Sequence, residues 1–158
     1  MRGREMKRRA NELDLTGTRG CAAFNLRKAS RAVAQIYDAA LSPSGLRSTQ
    51  FAILVAVAKT QPVSVGGLAE VTVNDQTTMT RNLRPMERDG LIAISPRGAK
   101  REKTVRLTAK GTRALAKATP AWRATQDRFV GAFGQQNWRA VRRQLEVLAG
   151  IAVQSSKA

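Results

Sequence analysis

The chain has 158 residues, 42% of them hydrophobic, which is about the length of one domain with enough apolar side chains for a core. Its 28 lysines and arginines outnumber 11 acidic residues, and the formal charge of +17 predicts a polyanionic partner, with nucleic acid ahead of a membrane surface. Histidine is absent and Cys21 is the single cysteine, which removes histidine-based dyads, the commonest zinc ligand and any internal disulfide. We therefore expect a protein that is not an enzyme, with no catalytic residues, no cofactor and no metal, in a reducing cytoplasm.

The chain begins with a basic arm. Residues 1–17 are polar and carry no sustained hydrophobic period, so we expect a segment that is loose or partly helical. The arm lacks the apolar stretch of a signal peptide, and no apolar run approaches the roughly 18 residues of a membrane span. From about Gly20 to Ala40 apolar residues recur three and four apart, which predicts a first helix.

Two further helices follow a break at Leu41-Ser42-Pro43-Ser44-Gly45. A second helix is predicted from about Ser48 to Thr60, and Ser64 can cap a short third helix through about Val71. The second helix is expected to turn four side chains inward: Phe51, Leu54, Val55 and Ala58.

A fourth helix combines an apolar stripe with a polar, cationic outer surface. Asp75 can cap it and Gly90 can stop it after Asp89. Its inward stripe is Met79, Leu83 and Met86. Short hydroxyls and guanidinium groups on one exposed helix suit a groove of nucleic acid. The outer positions are Gln76, Thr77, Thr78, Thr80, Arg81 and Arg84.

A β-hairpin is predicted after this helix. The segments from Leu91 to Ser95 and from Lys103 to Leu107 lean towards β-branched residues, with a Pro- and Gly-containing loop between them. That loop carries three cations that suit phosphate groups: Arg97, Lys100 and Arg101.

Two amphipathic helices are predicted at the C-terminus, the first capped by Thr108. Its inward side chains are Leu115, Ala118, Trp122, Phe129 and Phe133. Those of the last helix are Trp138, Val141, Leu145, Leu148 and Ala152. With the first helix, these stripes exceed what one small core needs to cover, which predicts a homodimer; packing within one chain is the alternative. The fold class is mainly α with a small β-hairpin.

Three motifs follow one another in a characteristic order: T-T-M-T-R-N-L-R-P-M-E-R-D-G-L-I, the basic hairpin, and L-T-A-K-G. In this order the chain, from about Phe24 to Ile151, resembles the MarR family of bacterial transcriptional regulators. The resemblance implies a winged helix-turn-helix homodimer that binds pseudo-palindromic operator DNA, usually as a repressor. It also implies release of the DNA when a small aromatic or lipophilic acid binds.

The resemblance also implies a division of labour along the chain. It comprises the arm at 1–17, a dimerisation helix in 18–45, the winged helix-turn-helix lobe at 46–108 and dimerisation helices in 109–158. Major-groove readout is assigned to the fourth helix, the DNA backbone to Arg84, and phosphate or the adjacent minor groove to the wing. The readout residues are Gln76, Thr77, Thr78, Thr80 and Arg81, and the wing residues are Arg97, Lys100 and Arg101.

Two positions depart from family patterns. The family's wing usually has an Asp that braces the wing arginine; here Ala99 stands in its place while Arg101 is retained, so a looser wing is expected. A branch that senses organic hydroperoxides has a reactive cysteine early in the first helix, but that position aligns with Ala23, two residues beyond Cys21. A redox switch at Cys21 and an incidental thiol are both open readings.

An effector pocket is implied where the first, second and fifth helices meet the DNA-binding lobe. The positive charge favours an anionic effector, such as an aromatic carboxylate or its coenzyme A thioester. Candidate contacts are Phe24, Arg27, Phe51, Val55 and Trp122. The alternative function is a constitutive, non-specific DNA- or RNA-binding protein, which explains the charge but not the apolar stripes of the C-terminal helices.

Overall fold

The computed structural model describes residues 15–97 and 102–155, and this part of the chain is mainly helical with a small sheet. Helices α1 to α6 span Ala22–Leu41, Ser48–Thr60, Val65–Val71, Gln76–Arg88, Ala109–Phe133 and Gln135–Ser155. Strands β1 to β3 span Val63–Ser64, Ile92–Arg97 and Glu102–Leu107. The predicted fold class is confirmed, every predicted helix is present, and the first four lie within one or two residues of their expected bounds.

The contacts between Cα atoms divide the chain into two compact units, between Gln35 and Ile36 within α1. In the first unit, the described residues form a 3₁₀ turn at Thr18–Gly20 and the first part of α1, and residues 15–32 are all exposed. The second unit contains the rest of α1, all the other helices and strands, and the hydrophobic core.

Helix α2 lies at the centre of the second unit. It packs against α3, α5 and β3, so it buries more than one stripe of side chains. Phe51 and Leu54 are buried as predicted, but Ala58 is exposed and the prediction for it is wrong. Ile53 and Val57 are buried in addition. A prediction of one inward stripe could not include these two residues, because α2 is in contact with other elements on several of its faces.

The predicted hairpin is confirmed, and it is part of a three-stranded antiparallel sheet in the order β1-β3-β2. Its register runs from Ile92 opposite Leu107 to Arg97 opposite Glu102. Strand β1 pairs with β3 through Val63 opposite Val105. The sequence did not predict β1, because two residues are too few to show an alternating pattern.

The predicted helix ends are confirmed at four positions. In three N-caps a side-chain oxygen accepts a hydrogen bond from the backbone N–H three residues later; the capping residues are Ser64, Asp75 and Thr108. At the end of α4, Gly90 has a φ of +70° and its N–H donates to the Glu87 carbonyl, while the Leu91 N–H donates to the Met86 carbonyl, both at 2.9 Å. This pair of bonds is the Schellman arrangement, which favours glycine at position 90.

The beginning of α5 lies directly against the chain segment that leaves α4. The Thr108 hydroxyl donates to the Gly90 carbonyl at 2.6 Å, and a Cβ atom on Gly111 would stand 1.9 Å from the Leu91 carbonyl oxygen. Since even a methyl group cannot fit at that distance, the two segments can approach this closely only with glycine at position 111.

We expect Gly111→Ala to lower the free energy of unfolding by about 3 kcal/mol, because the added methyl group overlaps backbone atoms that the sheet holds in place. Urea unfolding followed by circular dichroism measures the change. Gly131→Ala in the same helix is the control: a Cβ atom there meets nothing within 4 Å, so alanine should raise stability by up to about 1 kcal/mol. Similar changes for the two variants would contradict the close approach at Leu91.

Candidate nucleic-acid interface and ligand cavity

Helices α3 and α4 form a helix-turn-helix with a tightly bonded turn. The Asn74 N–H donates to the Ala69 carbonyl, and its side-chain amide donates to the Thr72 hydroxyl, each at 2.8 Å. Val73, between Thr72 and Asn74, has a φ of +52°, a left-handed conformation that is rare for a β-branched residue. The hydrogen bonds on either side hold Val73 there, and its side chain is exposed.

Helix α4 turns its apolar stripe to the core and a cationic stripe to solvent. Met79, Leu83 and Met86 are buried, as predicted. The opposite side carries exposed residues that are four, three and four apart, which places them on one face of the helix. They are Thr77, Arg81, Arg84 and Arg88.

A groove of about 960 Å³ separates α4 from the sheet and the start of α3. Four of the predicted readout and backbone residues lie together on its α4 side, and Lys103 of β3 faces them. Those four are Gln76, Thr77, Thr80 and Arg84. Arg81 lies on the adjoining exposed face of α4 and does not line the groove.

Two of the predicted readout threonines use their hydroxyl protons within α4. The Thr78 hydroxyl donates to an Asp75 carboxylate oxygen at 2.5 Å, and the Thr80 hydroxyl donates to the Gln76 carbonyl at 2.8 Å. Hydrogen bonds from the Thr78 side chain and backbone hold the pKa of Asp75 below its usual value. What Thr78 and Thr80 can still offer a partner is therefore a methyl group or an oxygen lone pair.

The tip of the wing falls largely outside the described residues. Arg97 is the last residue of β2, and its side chain is not among the described parts of the structure. The predicted wing positions Ala99, Lys100 and Arg101 lie outside the described residues. Lys103 and Arg106 on β3 are wing cations whose places are described, and both are exposed. The groove is also lined by Glu87, which was not among the predicted site residues although it lies one turn after Arg84 on α4.

A second cavity, of about 540 Å³, lies between α2, α5 and the last turns of α1. Phe51 and Trp122 stack on each other in its wall, with ring centroids 5.7 Å apart. Its lining is mostly apolar, with a few polar groups, among them the single lysine Lys59. The lining residues are Tyr37, Leu41, Ser48, Phe51, Ala52, Val55, Ala58, Lys59, Leu115, Thr119 and Trp122.

Three of the five predicted effector contacts, Phe51, Val55 and Trp122, line this cavity. Phe24 and Arg27 do not; they line a shallow depression on α1. Lys59 was not among the predicted contacts, although it lies one helical turn after Val55 and so shares its face. Tyr37 was not predicted to line the cavity either; its hydroxyl donates to the Gln126 side chain, and burial raises the pKa of Tyr37.

A carboxylate from α1 fixes one wall of the cavity. An Asp38 oxygen accepts a hydrogen bond of 2.6 Å from the Ser48 N–H at the first residue of α2, and hydrogen bonding to Ser48 holds the pKa of Asp38 below its usual value. Because Ser48 lines the cavity, Asp38 positions that wall from outside.

Asp38→Asn keeps an oxygen that can accept from the Ser48 N–H but removes the negative charge, so it should lower the free energy of unfolding by about 1 kcal/mol or less at pH 7. A carboxyl with a lowered folded-state pKa contributes stability above its unfolded pKa, and this contribution disappears as the pH falls through the folded value. The difference between the variant and the wild type should therefore shrink below about pH 4. Thermal melts from pH 7 to pH 3 measure it, and exposed Asp127→Asn on α5 is the control. A difference that persists unchanged at pH 3 would argue against this account.

The family model described as "MarR family" matches residues 46–101. The crystal structure of the transcriptional regulator MosR of M. tuberculosis in complex with DNA is 39% identical, covers 85% of this chain and 98% of its own, and superposes with a TM-score of 0.79. No curated protein sequence matches the chain.

More distant structures share the fold. AbsC, a MarR family transcriptional regulator from Streptomyces coelicolor, is 21% identical, covers 89% of this chain and 97% of its own, and has a TM-score of 0.74. CouR from Rhodococcus jostii RHA1, solved with p-coumaroyl-CoA bound, is 21% identical, covers 85% of this chain and 95% of its own, and has a TM-score of 0.70.

These likenesses, with the described helix-turn-helix and wing, define a winged-helix regulator. The chain belongs to the MarR family of DNA-binding transcriptional regulators, and its role is therefore regulatory rather than enzymatic.

Cys21 is exposed immediately before α1, and its reactivity stays an untested prediction. Within residues 15–97 and 102–155, no group of three or more cysteine and acidic side chains is arranged to hold a metal ion. None of the helices in the same part of the chain is long and apolar enough to cross a membrane.

Proposed function

We propose that this protein is a cytoplasmic repressor that binds a pseudo-palindromic operator as a homodimer, reads bases with α4, and releases the DNA when an anionic aromatic ligand enters the cavity beside α2. The observation that carries the proposal is the exposed stripe on α4, where arginine and threonine stand opposite a buried stripe. A helix held by its core face and bearing guanidinium and methyl groups outward suits the major groove, where arginine pairs with guanine and threonine methyl groups contact thymine.

The assignment to individual residues follows from their positions. Thr77 and Arg81 occupy the first turns of the exposed stripe, and Gln76 begins the helix, so these side chains would enter the groove first. Arg84 and Lys103, on opposite sides of the described groove, suit the phosphates of one strand. We assign Arg97, Lys100 and Arg101 to the backbone or the adjacent minor groove from the sequence alone.

Arg81→Ala should weaken binding to the selected operator by about tenfold or more while changing random-DNA binding little, since a bidentate arginine–guanine pair contributes about 1–3 kcal/mol of discrimination. The operator is first selected from random duplexes with the purified protein. Fluorescence anisotropy then gives both dissociation constants, and titration at high concentration gives the number of chains per duplex.

The matched control is Arg88→Ala, on the same stripe at the far end of α4, where its guanidinium lies 3.1 Å from the Asp89 carboxylate. It should change binding to both sequences by the same small factor. If Arg81→Ala weakened both sequences equally, Arg81 would not belong to the readout.

Support for the dimer comes from the terminal helices. Helix α6 has 21 residues, and not one of them is buried in the single chain. Its exposed apolar residues include Leu145 and Leu148, which the sequence placed on its inward stripe, and Phe133 at the end of α5 is exposed as well. A second copy that covered these side chains would present two α4 helices to two half-sites.

Support for the ligand comes from the cavity and its one ammonium group. A volume of about 540 Å³ lies within the usual range for small-molecule sites, and the stacked Phe51 and Trp122 suit an aromatic ring. Lys59 would attract a carboxylate or phosphate at the cavity wall. CouR, which shares the fold at 21% identity, was solved with p-coumaroyl-CoA, which makes aromatic acids and their thioesters the first class to test.

Aromatic carboxylates and their coenzyme A thioesters near millimolar concentration should raise the melting temperature, whereas the neutral amides of the same acids should not. A ligand at about 100 times its dissociation constant stabilises by about 2.7 kcal/mol, or roughly 5–10 °C for a chain of this size. Lys59→Gln should remove at least half of the rise, and Lys117→Gln, an exposed lysine on α5, should leave it unchanged. Stabilisation by the amides as large as by the acids would refute the role of Lys59, and an inactive panel would refute the ligand class.

A further inference from the structure

The outer face of α1 is cationic. From residue 15 to residue 35 the chain contains Arg19, Arg27, Lys28 and Arg31 and no acidic residue, and all four cations are exposed. Three of them line the shallow depression of about 320 Å³ on this helix, beside Phe24, which is 63% exposed. We call Arg27, Lys28 and Arg31 the α1 cationic face.

No acidic side chain within the described chain neutralises this face. The ion pairs between described residues are Arg88–Asp89 and Arg142–Glu146, and neither includes the α1 cationic face. Arg27 and Arg31 are four residues apart, a spacing at which like charges destabilise a helix. A polyanion outside the chain would reverse that effect.

The distribution of charge along the sequence points the same way. Residues 46–108, which contain the helix-turn-helix and the wing, have ten lysines and arginines against five acidic residues. This segment therefore supplies only a net +5 of the total +17. Most of the charge that would attract nucleic acid lies outside the elements that would read it.

We propose that the α1 cationic face is a second, sequence-independent binding site for the phosphates of duplex DNA. Arg27 and Arg31 are about 6 Å apart along the helix axis, so the two side chains can neutralise neighbouring phosphates together. The depression is open and formed by one helix, so it suits an extended polyanion better than a small ligand that must be enclosed. A second copy of this face would be repelled by its charge.

The test compares two triple variants of the full chain with equal loss of charge. Arg27→Gln/Lys28→Gln/Arg31→Gln removes the α1 cationic face, and Arg139→Gln/Arg142→Gln/Arg143→Gln removes three exposed cations from α6. Binding to a random-sequence duplex is measured by anisotropy at several salt concentrations. Each lost phosphate contact lowers the slope of log K against log[salt] by about 0.9, so the α1 variant should lose up to about 2.7 and the α6 variant much less.

A charge-preserving variant distinguishes the loss of positive charge from a loss of folding. Arg27→Lys/Arg31→Lys should keep the wild-type slope, and circular dichroism should give the same helix content for all variants. Equal changes for the α1 and α6 variants would overturn the proposal, because net charge alone would then be responsible. An unchanged slope for the α1 variant would overturn it as well.

Vesicles of equimolar phosphatidylcholine and phosphatidylglycerol test whether the α1 cationic face instead binds an anionic membrane surface. Loss of vesicle binding by the α1 variant with retained DNA binding would assign the face to a membrane surface and overturn the proposal. Because the duplex is random and no effector is present, these results do not depend on the operator, on Arg81 or on the ligand cavity.

Discussion

The close contact between Gly111 and Leu91 is the constraint on which the second unit depends. It joins three elements at one point: the end of α4, the start of β2 and the first turn of α5. The Thr108 hydroxyl and the Lys110 ammonium strengthen the junction by donating to the carbonyls of Gly90 and Asp89. Since backbone lies against backbone without side chains between them, a shift of α5 must move the end of α4 with it.

A ligand-responsive regulator requires coupling between its ligand cavity and its DNA-binding helix, and this junction is a direct contact between the elements that bear them. Helix α5 carries Leu115 and Trp122 in the wall of the cavity and Gly111 at the contact with Leu91. One continuous helix therefore reaches from the cavity to the helix that bears Arg81. A ligand can change DNA affinity only if it binds two conformations of the protein with different affinities. These contacts would allow a ligand that displaces α5 to move the end of α4.

The sequence was informative wherever local chemistry decides the structure. Caps at Ser64, Asp75 and Thr108, the stop at Gly90 and the buried stripe of α4 all follow from residue type and spacing. Strand β1, the burial of Ile53 and the places of Lys59 and Tyr37 in the cavity depend on elements distant in sequence, so periodicity could not reveal them. The roles of individual site residues, in DNA contact or ligand binding, remain predictions, since exposure on α4 or a place in a cavity wall does not identify a partner.

The turn before α4 has a consequence for how this chain can vary. Val73 is held in a left-handed conformation that disfavours a branched side chain by about 1–2 kcal/mol, although its side chain is exposed and packs little. Asparagine adopts that conformation more readily, so Val73→Asn would raise the stability of the fold without altering the core. Such a reserve would let a lineage accept new, destabilising residues on α4 and so acquire a different operator.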